Sequence, residues 1–205
     1  MKVPKARTEI PVSSISGLVE LINQYGVILF DELQHKQKFF QRYNGDSIII
    51  IECGVPTIKS IAPFSGYIVT CRSPDELMDI LRGIPNDQDE EISKRHLNTL
   101  VVENISAFYW NLATLSSQEK FSWYKGLNNE LAQIRKRYGC NVLVTGWDID
   151  FDRGFNARRV IEKAPVALQD LTYLPGELFL GATRIIHYGE TTLHFRDKKW
   201  RAIDE

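Results

Sequence analysis

The sequence predicts an α/β fold, a mostly parallel sheet extended on one side by an antiparallel hairpin. Short β-branched or apolar runs alternate along the chain with amphipathic segments of helical period. Several of those runs are apolar at nearly every position, as strands covered on both faces must be: SIIIIEC (Ser47 to Cys53), the opening of LNTLVVENISAFYW (Leu97 to Trp110) and NVLVTG (Asn141 to Gly146). Near the end, two strand-like runs meet at Gly189 and Glu190, the pattern of an antiparallel hairpin.

In order, Pro4 and Pro11 keep the first residues extended, and Ser14 or Ser16 caps a short helix carrying Leu18, Leu21, Ile22 and Tyr25 to a stop at Gly26. Residues 1–26 thus form a lead-in arm and short helix. Val27 to Phe30 is a brief strand, and the following DELQHKQKFFQRYN is a helix with Leu33, Phe39, Phe40 and Tyr43 on its apolar face. Strands at Ser47 to Cys53 and Gly66 to Cys71 lead to a helix signalled by Ser73, Pro74 and Glu76, with Leu77, Ile80 and Leu81 turned to the core before Gly83. Asn86 to His96 is a polar connection. The strand from Leu97 ends in Glu103 and an aromatic cluster, Phe108, Tyr109 and Trp110, that suits packing or partner contacts. Ser116 with Glu119 forms a capping box for a long helix bearing Phe121, Tyr124, Leu127, Leu131, Ile134 and Tyr138, stopped by Gly139. Beyond the strand at Asn141 to Gly146, the segment Trp147 to Asp170 is polar, irregular and too long for an idle connection. Strands at Ala182 to Tyr188, Thr191 to Arg196 and Trp200 to Ile203 finish the chain.

With 205 residues, 43% hydrophobic and 25% charged, the chain suits one domain over residues 1–205 with a sizeable core. A net charge of -1 gives no global basic field, so nucleic-acid binding must come from a local patch. Cys53, Cys71 and Cys140 lack the paired spacing of a zinc site or a disulfide framework and read as buried thiols of a reducing compartment. The N-terminal stretch lacks a signal-peptide apolar region and no run is long enough to span a bilayer, so a soluble intracellular protein with no membrane partner is expected.

Ligands of open α/β sheets bind at the C-terminal ends of the strands, and Glu103 stands at such an end. A phosphate site there requires GxxxxGK followed by Ser or Thr, glycines freeing backbone N–H groups to wrap the phosphates. GVPTIKS (Gly54 to Ser60) is one residue short, lacks the glycine before Lys59, and carries Pro56, which has no N–H. The turn after the first strand, Asp31 to Lys36, has no glycine and two carboxylates that would repel phosphate. Asp148, Asp150 and Asp152 imitate the start of a calcium loop, but Arg153 stands at the glycine position and Arg159 at the bidentate glutamate position. His35, His96, His187 and His194 show no metal-ligand spacing, and GxSxG is absent. No catalytic residue, metal site or cofactor is expected. What remains is a choice between a plain mobile surface loop and a nucleic-acid surface: Arg153, Arg158, Arg159 and Lys163, interleaved with Phe151, Phe155 and Asn156, are the mix that phosphate contacts with stacking platforms need, while nearby acids dilute the charge. Arg135, Lys136 and Arg137 close the long helix, where cations complement the helix dipole.

LVVENISAFYW resembles the second nucleotide-motif strand of RecA-like recombinase paralogues. IRKRYGCNVLVTGWDIDF and LPGELFLGATRII carry the resemblance on, and it comes nearest to the Psy-type, ATPase-lacking subunits of the fungal Shu complex. It covers most of the chain, by motif from Leu97 onward and by strand order before it. The resemblance implies a RecA-like, P-loop NTPase-type core with a degenerate nucleotide site, Glu103 replacing the usual metal-linked aspartate, and it matches Trp147 to Asp170 to the second DNA-binding loop. It further implies a non-catalytic, nuclear subunit that promotes recombinase filament assembly in homologous recombination and error-free replication-damage tolerance. Implied partners are a Csm-type paralogue in a heterodimer, the other Shu subunits, the recombinase filament, and single-stranded or forked DNA. Two alternatives stay open: an ATP-binding RecA-like recombinase enzyme, and a purely structural protein-protein adaptor.

Overall fold

The computed structural model describes residues 24–42, 47–58, 64–86, 97–148, 171–189, 192–196 and 198–202. Strands β1 (Tyr25–Phe30), β2 (Ile48–Cys53), β3 (Tyr67–Cys71), β4 (Thr99–Glu103), β5 (Asn141–Trp147) and β6 (Arg184–Tyr188) are followed by β7 (Leu193–Arg196) and β8 (Lys199–Ala202). They form one eight-stranded sheet in the order β3-β2-β4-β5-β1-β6-β7-β8. Every pairing from β3 to β6 is parallel, and β7 and β8 add on antiparallel. The expected α/β class with its C-terminal antiparallel extension is therefore present.

The helices are α1 (Leu33–Arg42), α2 (Pro74–Gly83), α3 (Tyr109–Ala113), α4 (Ser117–Tyr138) and α5 (Gly176–Phe179), with 3-10 turns at Ile84–Asn86 and Ile105–Phe108. The continuous apolar strands resolve into two alternating sets. Val27, Leu29, Ile49, Ile51, Leu100, Val102, Val142 and Val144 join one core with Leu77 and Leu81 of α2 and with Tyr124, Leu127, Leu131 and Ile134 of α4. Ile28, Phe30, Ile48, Ile50, Val101, Leu143 and Ile186 join a second with Phe39 and Phe40 of α1. Each fully buried Leu, Ile or Phe contributes about 1.5–3 kcal/mol, so both faces of the sheet are held by side chains that the period-two pleat assigns to them.

The capping signals act as expected at α4. Ser116 Oγ accepts from the Glu119 N–H and the Glu119 carboxylate accepts from the Ser116 N–H, while Gly139 ends the helix in the left-handed region at φ 64°. At α2 the box is shifted: Ser73 Oγ accepts from the Glu76 N–H, but the Glu76 carboxylate reaches one residue further back, to the Arg72 N–H at 2.7 Å.

Two expectations need correction. Tyr25 and Gly26 belong to β1 rather than to the end of a helix, because both are needed in the ladder opposite Val142 and Leu143 of β5. Leu33, at the first residue of α1, is 45% exposed and off the helix's buried face. The aromatic cluster follows β4, as expected, with Phe108 closing the 3-10 turn and Tyr109 and Trp110 opening the short helix α3. The expected N-terminal helix at Leu18 to Ile22 and most of the polar connection at Asn86 to His96 lie outside the described residues.

Candidate functional site

Because β1 to β6 are parallel, their C-terminal ends meet along one edge of the sheet. Glu52 and Glu103 are register partners there, on β2 and β4, and both are buried. Two carboxylates side by side in an apolar setting need cations or N–H donors close by, and this chain supplies both.

Helix α1 supplies the cation. Lys36 lies three and four residues before Phe39 and Phe40, hence on the same inward helix face, and is only 2% exposed. Its ammonium pairs with Oε1 of Glu103, donates to Thr57 Oγ1 at 3.0 Å, and sits 5.2 Å from the centre of the Trp147 ring, within cation-π range. The turn after β2 supplies the donors. Oε1 of Glu52 accepts from the backbone N–H of Ile58 at 2.6 Å and from that of Thr57. The amides of GVPTIKS, the nearest sequence match to a phosphate loop, thus hold the chain's own carboxylate. Burial lifts Glu103 to about 7; Lys36 opposes that rise and the neighbouring Glu52 adds to it. The second oxygen, Oε2, of each glutamate has no hydrogen-bond partner among the described residues.

Further along the edge, Asp31 accepts from the His35 ring one helical turn away, Nδ1 to Oδ1 at 2.6 Å. The two carboxylates expected to face a phosphate therefore part company at once, Asp31 being engaged by its own helix. Asp148 is buried and bonded through Oδ2 to His187 Nε2 at 3.1 Å, and its N–H donates to the Phe30 carbonyl at 3.0 Å. That ties Asp148 into the core as a structural acid; Asp150 and Asp152 lie outside the described residues. No group of three or more His, Cys, Asp or Glu side chains is gathered for a metal among the described residues.

The residues flanking the long polar segment are firmly held. Thr172 Oγ1 donates to the Trp147 carbonyl at 3.4 Å, and Leu171 and Leu174 are buried. Arg153, Arg158, Arg159 and Lys163 lie outside the described residues. Beside the segment's return, Tyr109 stacks edge-on with Trp110 at 5.1 Å and contacts Tyr173 at 6.1 Å; Phe108 is core, whereas Trp110 is 76% exposed.

Lys36 and Glu52 went unnoticed at the sequence level. Both left a signal: IIIIE and LVVE each end a buried strand in a glutamate, and a lysine on the Phe39–Phe40 face of a helix must find a carboxylate. The Asp148–His187 pair, 39 residues apart, left none.

The model of a family described as "Shu complex component Psy3, DNA-binding description" matches residues 16–191. The chain belongs to this Psy3 family. Membership implies a place in the Shu complex beside its other subunits, in recombination and damage tolerance, and the family's description makes it a DNA-binding one. The match takes in β1 to β6 and the whole glutamate–lysine edge. Among curated proteins no match was found.

Proposed function

We propose that this Psy3-family chain is a non-catalytic, DNA-binding subunit of a Shu-type complex, a single RecA-like domain whose nucleotide site has closed on itself. It works in the nucleus as a heterodimer with a Csm-type paralogue and promotes assembly of the recombinase filament. The observation that carries the non-catalytic reading is the Lys36–Glu103 ion pair. In a RecA-like core, β1 is the strand that normally precedes the phosphate loop and the β4 acid is the metal-linked one. Here α1 starts at Leu33, leaving only Asp31 and Glu32 after β1, too little chain for a loop that wraps phosphate. The acid at β4 already holds an internal ammonium, and the amides after β2 already hold Glu52. These residues do not fit Mg-ATP.

DNA contact falls to Arg153, Arg158, Arg159 and Lys163, the cations of the long segment between β5 and α5. The net charge of -1 fits a composite basic surface built with the partner chain, on single-stranded or forked DNA. The test is DNA binding by the heterodimer in a salt series. Arg158→Ala with Arg159→Ala weakens binding and reduces the slope of log affinity against log salt by about 1 to 2; an unchanged slope refutes the assignment. A parallel titration with Mg-ATP registers no tight binding, and saturable binding lost in Lys59→Ala would restore the enzyme reading.

A further inference from the structure

Cys53 and Cys71 are far apart in sequence, but they are register partners at the ends of neighbouring parallel strands β2 and β3. Register partners project to the same face, and both thiols lie in the same apolar core. Each thiol is turned to a backbone carbonyl, Cys71 Sγ donating to Ser73 O at 3.2 Å and Cys53 Sγ lying 4.0 Å from Ile51 O. At this level the strands are held by the Gly54 N–H donating to the Cys71 carbonyl at 2.8 Å. Neighbouring strands run about 4.8 Å apart, inside the Cα separation of roughly 4.4–6.8 Å that a disulfide spans. Both residues are reduced in this structure.

We propose that Cys53 and Cys71 are a peroxide-responsive thiol pair, which on oxidation forms a disulfide stapling the edge strand β3 to β2. The two members are chemically unequal. The neighbouring Cys53 side chain holds the Cys71 thiol below its ordinary value, whereas burial pushes Cys53 well above it. Cys71 is therefore the attacking thiolate and Cys53 the resolving thiol. Cys71 Sγ, having given its proton to solvent, attacks one oxygen of hydrogen peroxide; the O–O bond breaks, hydroxide leaves and takes up a proton as water, and Cys71 becomes a sulfenic acid. Cys53 Sγ then attacks the Cys71 sulfur, the S–O bond breaks, and a second water leaves with the Cys53 proton. Two thiols have lost two electrons and one peroxide has gained them. Both thiols are buried, so oxidation requires local opening of β3, which is the sheet's outer strand and is only partly buried along its other four residues; segments with few buried contacts open at less than the global cost. Cys140, buried after α4 near the start of β5, has no second cysteine beside it among the described residues and serves as internal control.

The experiment treats the full chain with hydrogen peroxide, blocks remaining thiols with N-ethylmaleimide, and maps the peptides by mass spectrometry. The expected product is a Cys53–Cys71 linked peptide, about 2 Da lighter than the two reduced peptides, reversed by dithiothreitol, with Cys140 alkylated. In Cys53→Ser, Cys71 instead reacts with dimedone as a sulfenic acid. Recovery of Cys53 and Cys71 as alkylated as Cys140, or cross-links that leave this pair out, overturns the proposal. The mapping on the unaltered protein decides by itself if the variant does not fold.

Discussion

Lys36 places a charged side chain, 2% exposed, against the Glu103 carboxylate at the end of β4, and its energetics are those of a buried ion pair. Taking the charges out of water costs several kcal/mol per ion, and the Lys36–Glu103 contact offsets this only while both partners are present. Lys36→Met should therefore destabilise the fold by about 3–5 kcal/mol, while Lys36→Met combined with Glu103→Leu should recover most of that loss. Urea unfolding of the three proteins checks it; equal losses in the single and double variants would contradict the pairing. A pH dependence follows from Glu103. Its carboxyl is raised from the ordinary 4.5 to about 7, so the folded chain keeps a proton that the unfolded chain releases. This stabilisation is complete below about pH 4.5 and disappears as the pH climbs through about 7. Between pH 4.5 and 8, the stability of the parent relative to Glu103→Gln should fall by on the order of 3 kcal/mol, measured as paired urea midpoints. The partner of neither residue was legible in the sequence: a lysine on an inward helix face shows that a carboxylate is needed, and only the folded chain brings that lysine to Glu103.

Among the elements, α4 is the one whose limits local chemistry writes out most fully, from Ser116 and Glu119 to Gly139. Ser116→Ala should cost about 1 kcal/mol by freeing an N-terminal donor, visible as a lower melting temperature with unchanged near-UV circular dichroism. Gly54 is the stricter position: its φ is +79°, and an added Cβ would meet Ala107 Cβ at 2.8 Å. Gly54→Ala should cost roughly 2 kcal/mol, measured by the same melt. These devices are local, which is why the strands and helices were legible with small boundary shifts. Tyr25 and Gly26 show the opposite case. A preceding helical pattern and a glycine stop signal point one way, and the ladder to β5 overrides them. Helix α3 escaped because its five residues are too few to show a period.

At the scale of the whole molecule, the α/β class and the antiparallel finish were written in alternating patterns, but the strand order was not. Period and caps say that strands exist, not that β5 lies between β4 and β1 or that β2 lies beside both β3 and β4. The meeting of Cys53 with Cys71, of Asp148 with His187, and of Lys36 with Glu103 depends on that order and was correspondingly invisible. The cations proposed to contact DNA, by contrast, come from residue type and resemblance, and the whole-assembly prediction follows from charge: with a net charge of -1, the chain alone should bind DNA more weakly and with a shallower salt slope than the proposed heterodimer. Fluorescence anisotropy of both species across a salt series measures this.

The contact between Lys36 and Glu103 also sets the terms on which any dissolved anion meets this edge of the sheet. A free phosphate or nucleotide must displace a carboxylate that is tethered to the neighbouring strand, and a tethered group acts at an effective concentration that a dissolved one rarely matches. Restoring glycines to the turn after β1 would lengthen the loop without removing that competitor. Ligand binding at this edge would return only with changes that release Lys36 and the Thr57 and Ile58 amides together, because each carboxylate already there never diffuses away.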